Sequence, residues 1–386
     1  MTIENHYPHI DELTDFQRSK IIELREDAKD ILKLYPEYDT DFSLLRWLMG
    51  WDYNIEQILP KMRHAFEVLV SLGLDKVNVD HPSDVNKIIT AQSNAAIYFP
   101  GGLMGTSKRG DVVYMQSLAK SHPRTLVKSG SVSELYRLCL FETELSFKLV
   151  RKNEAKTNAK CGVIIVMDLD GFSMDLLYTP TLKIYLNLLS MMQEIFPDFA
   201  RKILVINCPM MMSTAFGMVA PVLSQQTREK VNFLDKNWKT DLAEEIGAEN
   251  IYSHWGGCKT SSSPYGDLRM GGKIPEKFWY KAEDQPLESN KLKISVAART
   301  KAEVREMGKA GHTFKWLWKV SSGDLDFSIE KNNKRVHPVF RCSTDHHPEI
   351  GSLYCEEDGE YAFIFDNSHG KFFGKDVKYK IVLEKL

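Results

Sequence analysis

The chain has 386 residues, of which 43% are hydrophobic and 26% charged, and its formal net charge is -2 at pH 7. This length exceeds that of a usual single domain, so we expect one large or two moderate domains with a sizeable core. Because positive and negative charges nearly balance, the composition gives no general reason to expect nucleic acid as a partner.

Cysteine usage and hydropathy indicate the cellular compartment. The six cysteines show neither a CxxC motif nor regular spacing, which favours reduced intracellular thiols over a disulfide framework. The N-terminal sequence "MTIENHYPHIDELTDFQ" lacks the apolar core of a signal peptide, and no run of about 18 apolar residues occurs in the chain. We therefore expect a cytoplasmic protein whose membrane association is peripheral.

The first part of the chain has a helical pattern. From about Thr14 to Gly73, apolar residues recur at spacings of three and four, as in "FSLLRWLMGWDYNIEQILPKMRHAFEVLVSLG". This periodicity is typical of amphipathic helices. We predict a small helical bundle over residues 10–80.

The middle of the chain alternates between β-rich runs and amphipathic helical segments. The predicted strands are Asp111–Ser117, Cys161–Asp170 and Arg201–Asn207. The helical segments "SVSELYRLCLFETELSFKLVRK" and "LKIYLNLLSMMQEIF" lie between them. Because this order requires crossover connections, we predict an α/β domain over residues 90–257 with a mostly parallel sheet covered by helices.

The composition changes again near Gly256. The segment "GGCKTSSSPYGDLRMGGKIPEK" is rich in Gly, Ser, Pro and Lys, so we predict a linker on the protein surface over residues 258–290. Short alternating segments follow, including "KLKISVAA", "TFKWLWKVSS", "DLDFSIEK", "GEYAFIFDNS" and "DVKYKIVLEKL". Their spacing predicts an all-β, antiparallel sandwich over residues 291–386. We expect residues 1 to about 270 to fold without this sandwich.

One short segment, "PMMMSTAFGMVAPVLS" at Pro209–Ser224, is apolar on every side. If Ser213 caps a helix there, apolar residues cover two adjacent faces and no polar face remains. The first face holds Met212, Phe216, Val219 and Leu223, and the second holds Ala215, Met218 and Val222. Such a segment is either a fully buried core helix or a helix that has a different apolar partner on each face.

Few side chains in the α/β region indicate chemistry. The glycine-rich Gly101–Ser107 lacks the Gly-Lys-Ser/Thr ending of a phosphate-binding loop, so we expect a turn that enters a strand. Asp168, Asp170 and Asp175 cluster at a strand end, where carboxylates serve as caps and turn formers or in acid/base catalysis. We favour the structural role for the three carboxylates and expect no catalytic residue.

The C-terminal region offers two further candidate sites. His346 and His347 are adjacent in a predicted loop, and neighbouring side chains point apart rather than converge on a metal ion. Cys342 and Cys355 could pair across strands, although we favour reduced thiols in the core. We expect neither a metal nor another resident cofactor.

Several local sequences occur in the order found in one family. They are "LLRWL" at Leu44–Leu48, a Gly-Gly-x-x-Gly turn before "VVYMQS", the strand "VIIVMDLDGFS", the block "FPDFARKILVINCPMMMSTAFGMVAPVLSQQTREKVNFL", and "NIYSHWGG". Together, over residues 10–257, they resemble a CRAL-TRIO lipid-binding domain with its N-terminal helical extension. The C-terminal "GEYAFIFDNSHGKFFGKDVKYKIVL" resembles a GOLD domain, a sandwich of jelly-roll type. This order of domains resembles the supernatant-protein-factor-like, tocopherol-associated branch of lipid transfer proteins.

The resemblance implies a role for the apolar helix. In this family the equivalent helix is a gate over a lipid cavity: its inner face contacts the lipid, and its outer face meets the bilayer when the gate opens. Methionine suits such a cavity because its unbranched, polarisable side chain adapts to a flexible tail. The clustered methionines are Met191, Met192, Met210, Met211, Met212 and Met218. The expected lipid-binding residues are Ile165, Met167, Leu186, Met191, Phe196, Met212, Phe216, Val219, Val222 and Leu223.

The same resemblance bears on the ligand, because fungal phosphatidylinositol-transfer members hold the inositol phosphate with basic residues that this chain lacks. Their Tyr-Pro-Glu-Arg string is replaced here by residues 196–199, "FPDF", and Ala220 precedes Pro221 where they have Lys. Residues 49–52, "MGWD", replace an Arg-Ala-Arg-Lys cluster. The basic residues that remain nearby, all expected to be solvent-exposed, are Lys108, Arg109, Arg201 and Lys202. Because a buried phosphate diester requires cationic partners, we expect a neutral isoprenoid or tocopherol-like lipid rather than phosphatidylinositol, with other phospholipids left open.

We therefore expect a protein that extracts, carries and releases a hydrophobic lipid at membrane surfaces without chemical conversion. The alternative is a lipid-sensing adaptor in membrane trafficking, which binds a protein partner through its GOLD domain. Trp316 and Trp318 are candidates for that contact, although alternation places both on one side of a strand, where we favour a core role. An enzyme that uses Asp168 and Asp170 is a third alternative.

Overall fold

The computed structural model describes residues 5–209 and 212–385, with only the backbone described for residues 212–215. Contacts divide the chain into two compact units. Unit 1 contains the chain up to His122 together with Leu138–Lys273, and unit 2 contains Pro123–Arg137 together with residues 274–385. Each unit has its own sheets and its own core.

Short helices form the N-terminal part of unit 1, as the apolar spacing predicts. They are α1 (Asp15–Asp27), α2 (Lys29–Leu32), α3 (Asp41–Gly50), α4 (Ile55–Ser71) and α5 (Pro82–Thr90). The side chain of Thr14 accepts a hydrogen bond from the Gln17 amide at the start of α1, and Asn54 does the same for α4, so both helices begin with a capped turn. The predicted N-terminal helices are confirmed.

Arg46, the charged residue of the "LLRWL" sequence, anchors α3. Its guanidinium is buried, forms an ion pair with Glu154, and donates to the carbonyl oxygen of Cys161. Glu154 also accepts a hydrogen bond from the Cys161 amide at 2.8 Å. Because a buried charge is tolerated only when it is paired and hydrogen-bonded, this cluster fixes the N-terminal helices against the α/β part.

A five-stranded sheet lies at the centre of unit 1. Its strands, in spatial order, are β1 (Gly102–Thr106), β2 (Val112–Gln116), β3 (Val163–Asp168), β4 (Ala200–Ile206) and β5 (Val231–Phe233). The β1–β2 pair is antiparallel, and the other three pairs are parallel. The helices of residues 123–246 are α6 (Pro123–Ser129), α7 (Val132–Thr157), α8 (Thr179–Ile195), α9 (Met212–Val219), α10 (Gln225–Glu229) and α11 (Trp238–Ile246). Of these, α6 and the first turn of α7 belong to unit 2. The predicted α/β architecture with a mostly parallel sheet is confirmed.

Apolar side chains cover one face of this sheet at its inner strands. Alternate residues of β2, β3 and β4 point to this face, because successive side chains of a strand point to opposite sides. The buried residues on this face are Val113, Met115, Ile164, Val166, Leu204 and Ile206, and they pack with Leu242, Ile246 and Trp255. The intervening residues of the same strands point to the opposite face.

The segment predicted to be a surface linker is partly buried. Leu268 belongs to the core cluster, and the backbone of Arg269 exchanges two hydrogen bonds with Gly101, at 2.9 and 3.0 Å. The Arg269 guanidinium is buried against the Glu142 carboxylate, at 2.7 Å. The surface expectation is therefore wrong for Leu268 and Arg269, whereas most other residues of 258–290 are exposed or half-buried.

Unit 2 contains two four-stranded antiparallel sheets. Their strands are β6 (Leu292–Val296), β7 (Lys301–Gly308), β8 (His312–Val320), β9 (Asp324–Lys331), β10 (Lys334–Ser343), β11 (Glu349–Tyr354), β12 (Gly359–Asp366) and β13 (Lys375–Lys385). The strand orders are β10-β9-β12-β7 and β11-β8-β13-β6, the arrangement of a jelly roll. Trp316 and Trp318 are buried and pack against Phe327, with ring centroids 5.8 and 5.4 Å apart. The sandwich and the core role of both tryptophans are confirmed.

The first turn of α7 belongs to unit 2. The buried Glu349 carboxylate accepts hydrogen bonds from the amides of Val132 at 2.9 Å and Ser133 at 3.2 Å. Burial raises the pKa of Glu349 to about 7, although these hydrogen bonds oppose the shift. The Tyr136 hydroxyl donates to the Arg341 carbonyl oxygen at 3.2 Å, and its ring packs on Phe340. Residues 123–137 therefore depend on the C-terminal strands.

This dependence modifies the expectation that residues 1 to about 270 fold alone. We predict that a chain ending at Lys273 is less stable than the full chain and binds a hydrophobic dye, because the packing partners of Val132 and Tyr136 are gone. Thermal unfolding and dye fluorescence measure both effects. As a control, the same truncated chain with residues 123–137 replaced by a Gly/Ser linker loses most of the dye signal. A truncated chain that binds no more dye than the full chain would contradict the prediction.

Candidate functional site

The second face of the unit 1 sheet borders a cavity of about 540 Å³. The sheet residues that line the cavity form its floor. The strand register aligns them in two rows across β2, β3, β4 and β5, because alternate side chains of each strand point to the cavity. The first row is Tyr114, Ile165, Ile203 and Val231, and the second is Gln116, Met167, Val205 and Phe233. The floor is therefore apolar except for one phenol and one amide.

Two helices form walls of the cavity. One face of α8 contributes Tyr185, Leu188, Leu189 and Met192, and α7 contributes Cys139, Glu142, Thr143 and Ser146. Spacings of three and four place each set on one side of its helix. Leu186 and Met191, both predicted to bind lipid, do not contribute to the cavity wall, because one residue of displacement turns a helical side chain by about 100°.

The other predicted lipid-binding residues fall into two groups. Those that line the cavity are Ile165, Met167, Phe196, Phe216, Val219, Val222 and Leu223. The side chain of Met212 lies outside the described residues, as do those of Met210 and Met211. Four further residues that line the cavity were not predicted from the sequence: Ile203, Val205, Val231 and Phe233. They share the strand alternation of Ile165 and Met167, but only the strand register shows that they face the same cavity.

The apolar helix α9 lies along the cavity with one face exposed. It begins at Met212 and ends at Val219, where a 3-10 turn over Ala220–Val222 replaces the longer helix we expected, since Pro221 lacks the amide that would continue it. Phe216 contacts the ring of Phe233 edge to face, with centroids 5.5 Å apart. Met218, on the other face, is 43% exposed. No described side chain from Phe216 to Leu223 is buried, so the alternative of a fully buried core helix is wrong.

A single side-chain amide holds the end of this segment. Gln193 of α8 donates to the carbonyl oxygen of Val222 at 3.0 Å and accepts from the amide of Ser224 at 2.7 Å. The Ser224 hydroxyl in turn caps α10 by accepting from the Thr227 amide at 3.1 Å. The chain is therefore fixed at residues 222–224, whereas a Cβ added at Gly217 would have no neighbouring atom within 4 Å.

Asp198, one of the residues that line the cavity, lies buried between two lysines. Its carboxylate is paired with the fully buried ammonium of Lys160 and with that of Lys230 at 2.5 Å. Burial alone raises the pKa of Asp198, but the two ammonium groups outweigh it and lower that pKa to about 2. Burial lowers the pKa of Lys160 to about 8, despite the attraction of Asp198. The cluster is therefore satisfied internally.

The charges on the cavity wall are mostly negative. Among the described residues, the charged side chains of the wall are Glu142, Glu194, Asp198 and Lys230. The single cation is engaged by Asp198, and Glu142 is bound by Arg269 and accepts from the Tyr114 hydroxyl at 3.2 Å. This wall offers no unpaired cation to an anionic ligand.

The remaining basic residues near this region differ from expectation in one case. Arg201 is only 10% exposed and pairs with the buried Asp111 at 3.0 Å, so its expected exposure is wrong: a buried carboxylate requires a partner. Lys202 is partly exposed and pairs with Glu245 at 2.5 Å. Lys108 and Arg109 are exposed, as expected.

The carboxylate candidates for catalysis have structural partners. Asp168 is buried and accepts hydrogen bonds from the Asp170 amide, the Asn207 side chain and the Trp255 indole, at 3.0, 2.8 and 2.9 Å. Asp170 is exposed and lies 3.5 Å from Lys120. Neither carboxylate, nor that of Asp175, lines the cavity.

The other candidate sites also have structural explanations. Gly101–Ser107 contains strand β1 itself, so the turn expected there is wrong. His347 packs on Tyr280 with ring centroids 4.9 Å apart. Cys342 and Cys355 are both buried, and the structure contains no disulfide between them. Within residues 5–209 and 212–385, no cluster of three or more His, Cys, Asp or Glu side chains is arranged to hold a metal ion, and no helix is long and apolar enough to cross a membrane.

Comparisons with known proteins show which domain and which proteins this chain is similar to. Residues 98–257 match the model of the CRAL/TRIO domain. The chain is 27% identical over 280 residues to Protein real-time of Drosophila melanogaster, covering 69% of this chain and 39% of the fly protein. It is 22% identical over 381 residues to Protein ctg-1 of Caenorhabditis elegans, covering 94% of this chain and 97% of the nematode protein. The crystal structure of Sfh5 aligns with a TM-score of 0.43 at 13% identity, covering 69% of this chain and 94% of that chain.

The Asp198 cluster predicts a specific stability defect. Asp198→Asn leaves the fully buried ammonium of Lys160 and the partly buried one of Lys230 without a counter-charge, so we expect a loss of roughly 3–5 kcal/mol in unfolding free energy at neutral pH. Because the folded pKa of Asp198 is depressed to about 2, its stabilisation is complete above about pH 4 and is lost as the pH falls toward 2. Denaturant titrations at several pH values should show a weaker acid dependence in the variant. Glu245→Gln, which breaks the partly exposed pair with Lys202, is the control and should cost less than about 1 kcal/mol; equal losses would refute the assignment.

Proposed function

We propose that unit 1 binds a hydrophobic lipid and carries or presents it between membranes from the cytoplasm, without chemical conversion, since residues 98–257 match the model of the CRAL/TRIO domain. The observation that carries this proposal is the apolar cavity on the open face of the sheet, bordered by the half-exposed apolar helix α9. Burial of about 400 Å² of lipid surface contributes roughly 10 kcal/mol, which exceeds a several kcal/mol cost of association. Affinity therefore needs no reactive group.

In this proposal, α9 is the gate. Its inner residues Phe216 and Val219 line the cavity, and Met218 on the outer face is ready to contact a bilayer. Each apolar face then has an apolar partner in one of two states, which explains why a short helix without a polar face occurs at the protein surface. The hydrogen bonds of the Gln193 side chain to Val222 and Ser224 keep the carboxyl-terminal end of the gate in place in both states.

We propose a neutral ligand for the cavity, such as an isoprenoid or tocopherol-like lipid. The wall has three carboxylates and one ammonium group, and that ammonium is paired with Asp198. A phosphate group placed against this wall would lose hydration without gaining a free cationic partner. A hydroxyl or carbonyl group of a neutral lipid could instead form hydrogen bonds with the tyrosine hydroxyls and glutamine amides that line the cavity.

We also propose that unit 2 is a GOLD-like domain, on the basis of its jelly-roll strand order and the sequence of its last two strands. The adaptor alternative is less well supported. Trp316 and Trp318, the aromatics considered for a protein contact, are core residues. Carriage of a lipid is therefore the function that the described residues support best.

The gate assignment is tested with Phe216→Asp. This change places a carboxylate against the cavity or the bilayer, and we expect lipid transfer between vesicles to slow by roughly tenfold or more while circular dichroism stays unchanged. Phe16→Asp alters an exposed phenylalanine on α1 and serves as the control with normal transfer. Unchanged transfer by the Phe216 variant would reject the gate.

Ligand preference is tested by competition. Purified protein is offered radiolabelled phosphatidylinositol together with a neutral isoprenoid such as squalene, and bound lipid is counted after separation from vesicles. We expect the isoprenoid to be retained, because the wall supplies no free cation for the phosphate. Preferential, saturable uptake of phosphatidylinositol would overturn the neutral-ligand proposal and leave the cavity assignment intact.

A further inference from the structure

Two adjacent phenylalanines protrude from unit 2. Phe372 and Phe373 are each 81% exposed, more than any other large hydrophobic side chain among the described residues. They lie in the turn between β12 and β13, at one tip of the sandwich. Single exposed apolar residues are common, but two side by side at a loop tip mark an interaction site.

Internal hydrogen bonds build this tip. Asn367 is completely buried, and its side-chain amide donates to the carbonyl oxygens of Phe373 at 3.0 Å and Ala297 at 3.3 Å. The backbone carbonyl oxygen of Asn367 accepts a hydrogen bond from the Arg299 amide at 3.1 Å, and its backbone amide donates to the Thr300 carbonyl oxygen at 2.9 Å. The turn that holds the phenylalanines is therefore tied to the neighbouring turn at residues 297–300, and the two turns form one surface, which we call the Phe tip.

The Phe tip carries unpaired positive charge. Lys371 and Arg299 are exposed, and neither forms an ion pair with any residue that the structure describes. By contrast, neighbouring cations are neutralised: Lys301 pairs with Asp366 at 3.0 Å, and Lys293 with Asp376 at 2.8 Å. The Phe tip thus combines two exposed aromatic rings with two unpaired cationic side chains.

We propose that the Phe tip binds the surface of an anionic lipid bilayer. The phenylalanine rings enter the boundary between headgroups and acyl chains, where protruding apolar groups gain contact without needing a matching pocket, and Lys371 and Arg299 bind lipid phosphates. A protein partner would need a groove that fits two adjacent rings, whereas a bilayer accommodates them by moving lipids aside. Charge complementarity therefore selects an anionic membrane as the occupant, and this contact is independent of the cavity in unit 1.

Vesicle sedimentation with the full chain tests the proposal. The probes are vesicles of phosphatidylcholine alone and of phosphatidylcholine and phosphatidylserine in equal parts. We expect preferential binding to the anionic vesicles, and a roughly hundredfold loss of partition coefficient in Phe372→Ser/Phe373→Ser. Lys371→Glu/Arg299→Glu should lose at least about fivefold per residue on the anionic vesicles, and far less on the neutral ones.

A matched control is available on the same sandwich. Met307 and Tyr354 are 67% and 54% exposed, and the strand register places both at the opposite end from the Phe tip. Met307→Ser/Tyr354→Ser should bind vesicles normally, and an equal loss there would overturn the proposal. Wild-type protein that stays in solution with both vesicles would also overturn it and would favour a protein partner for the phenylalanines.

Insertion is measured separately with Phe373→Trp. The added tryptophan is solvent-exposed in the free protein, so its difference fluorescence should shift to shorter wavelength on anionic vesicles and be quenched by brominated acyl chains. A tryptophan that stays water-exposed on sedimented vesicles would reject insertion of the Phe tip.

Discussion

The structure of unit 1 depends on one constraint of β-sheet geometry: successive side chains of a strand point to opposite faces. In β2, β3 and β4, every second side chain is buried in a core with α11, and the side chains between them face the cavity. The sheet therefore supports its own folding with one face and leaves the other available for a ligand. A shift of register by one residue would exchange the two faces and destroy both, so packing of the core also preserves the cavity.

The periodicity of the sequence predicted the helices and strands, but it did not predict which other elements each of them packs against. The runs around Ile165 and Val205 are apolar at every position, as expected of strands buried on both sides, so nothing in them distinguishes the cavity row from the core row. For Leu186 and Met191, composition indicated an apolar helix correctly, but the face of α8 that meets the cavity is set by tertiary packing. The burial of Leu268 and Arg269 was missed because two residues decide the path of a segment whose average composition is that of a linker.

The placement of charge in unit 1 shows how a cavity can be apolar and still lie beside many ionic groups. Arg46, Arg201 and Arg269 each have a buried carboxylate partner, and Asp198 has two lysines. These pairs join segments that are far apart in the chain, and each charge in them is neutralised by its partner. Lysine and arginine counts near a pocket therefore say little about ligand charge until the partners are known. A buried cation that already has its carboxylate is part of the scaffold.

If α9 is the gate proposed above, the hydrogen bonds of Gln193 limit how it opens. Because they hold residues 222–224 against α8, the opening would be a rotation about that end, in which the displacement of each residue grows with its distance from the pivot. Val219 would then move less than Met212, and the mouth of the cavity would widen first beside the carboxyl end of β4. An elongated molecule would pass through this mouth lengthwise, one end leading. Direction of passage, and hence which end of an asymmetric molecule lies deepest, would follow from the position of a single hinge.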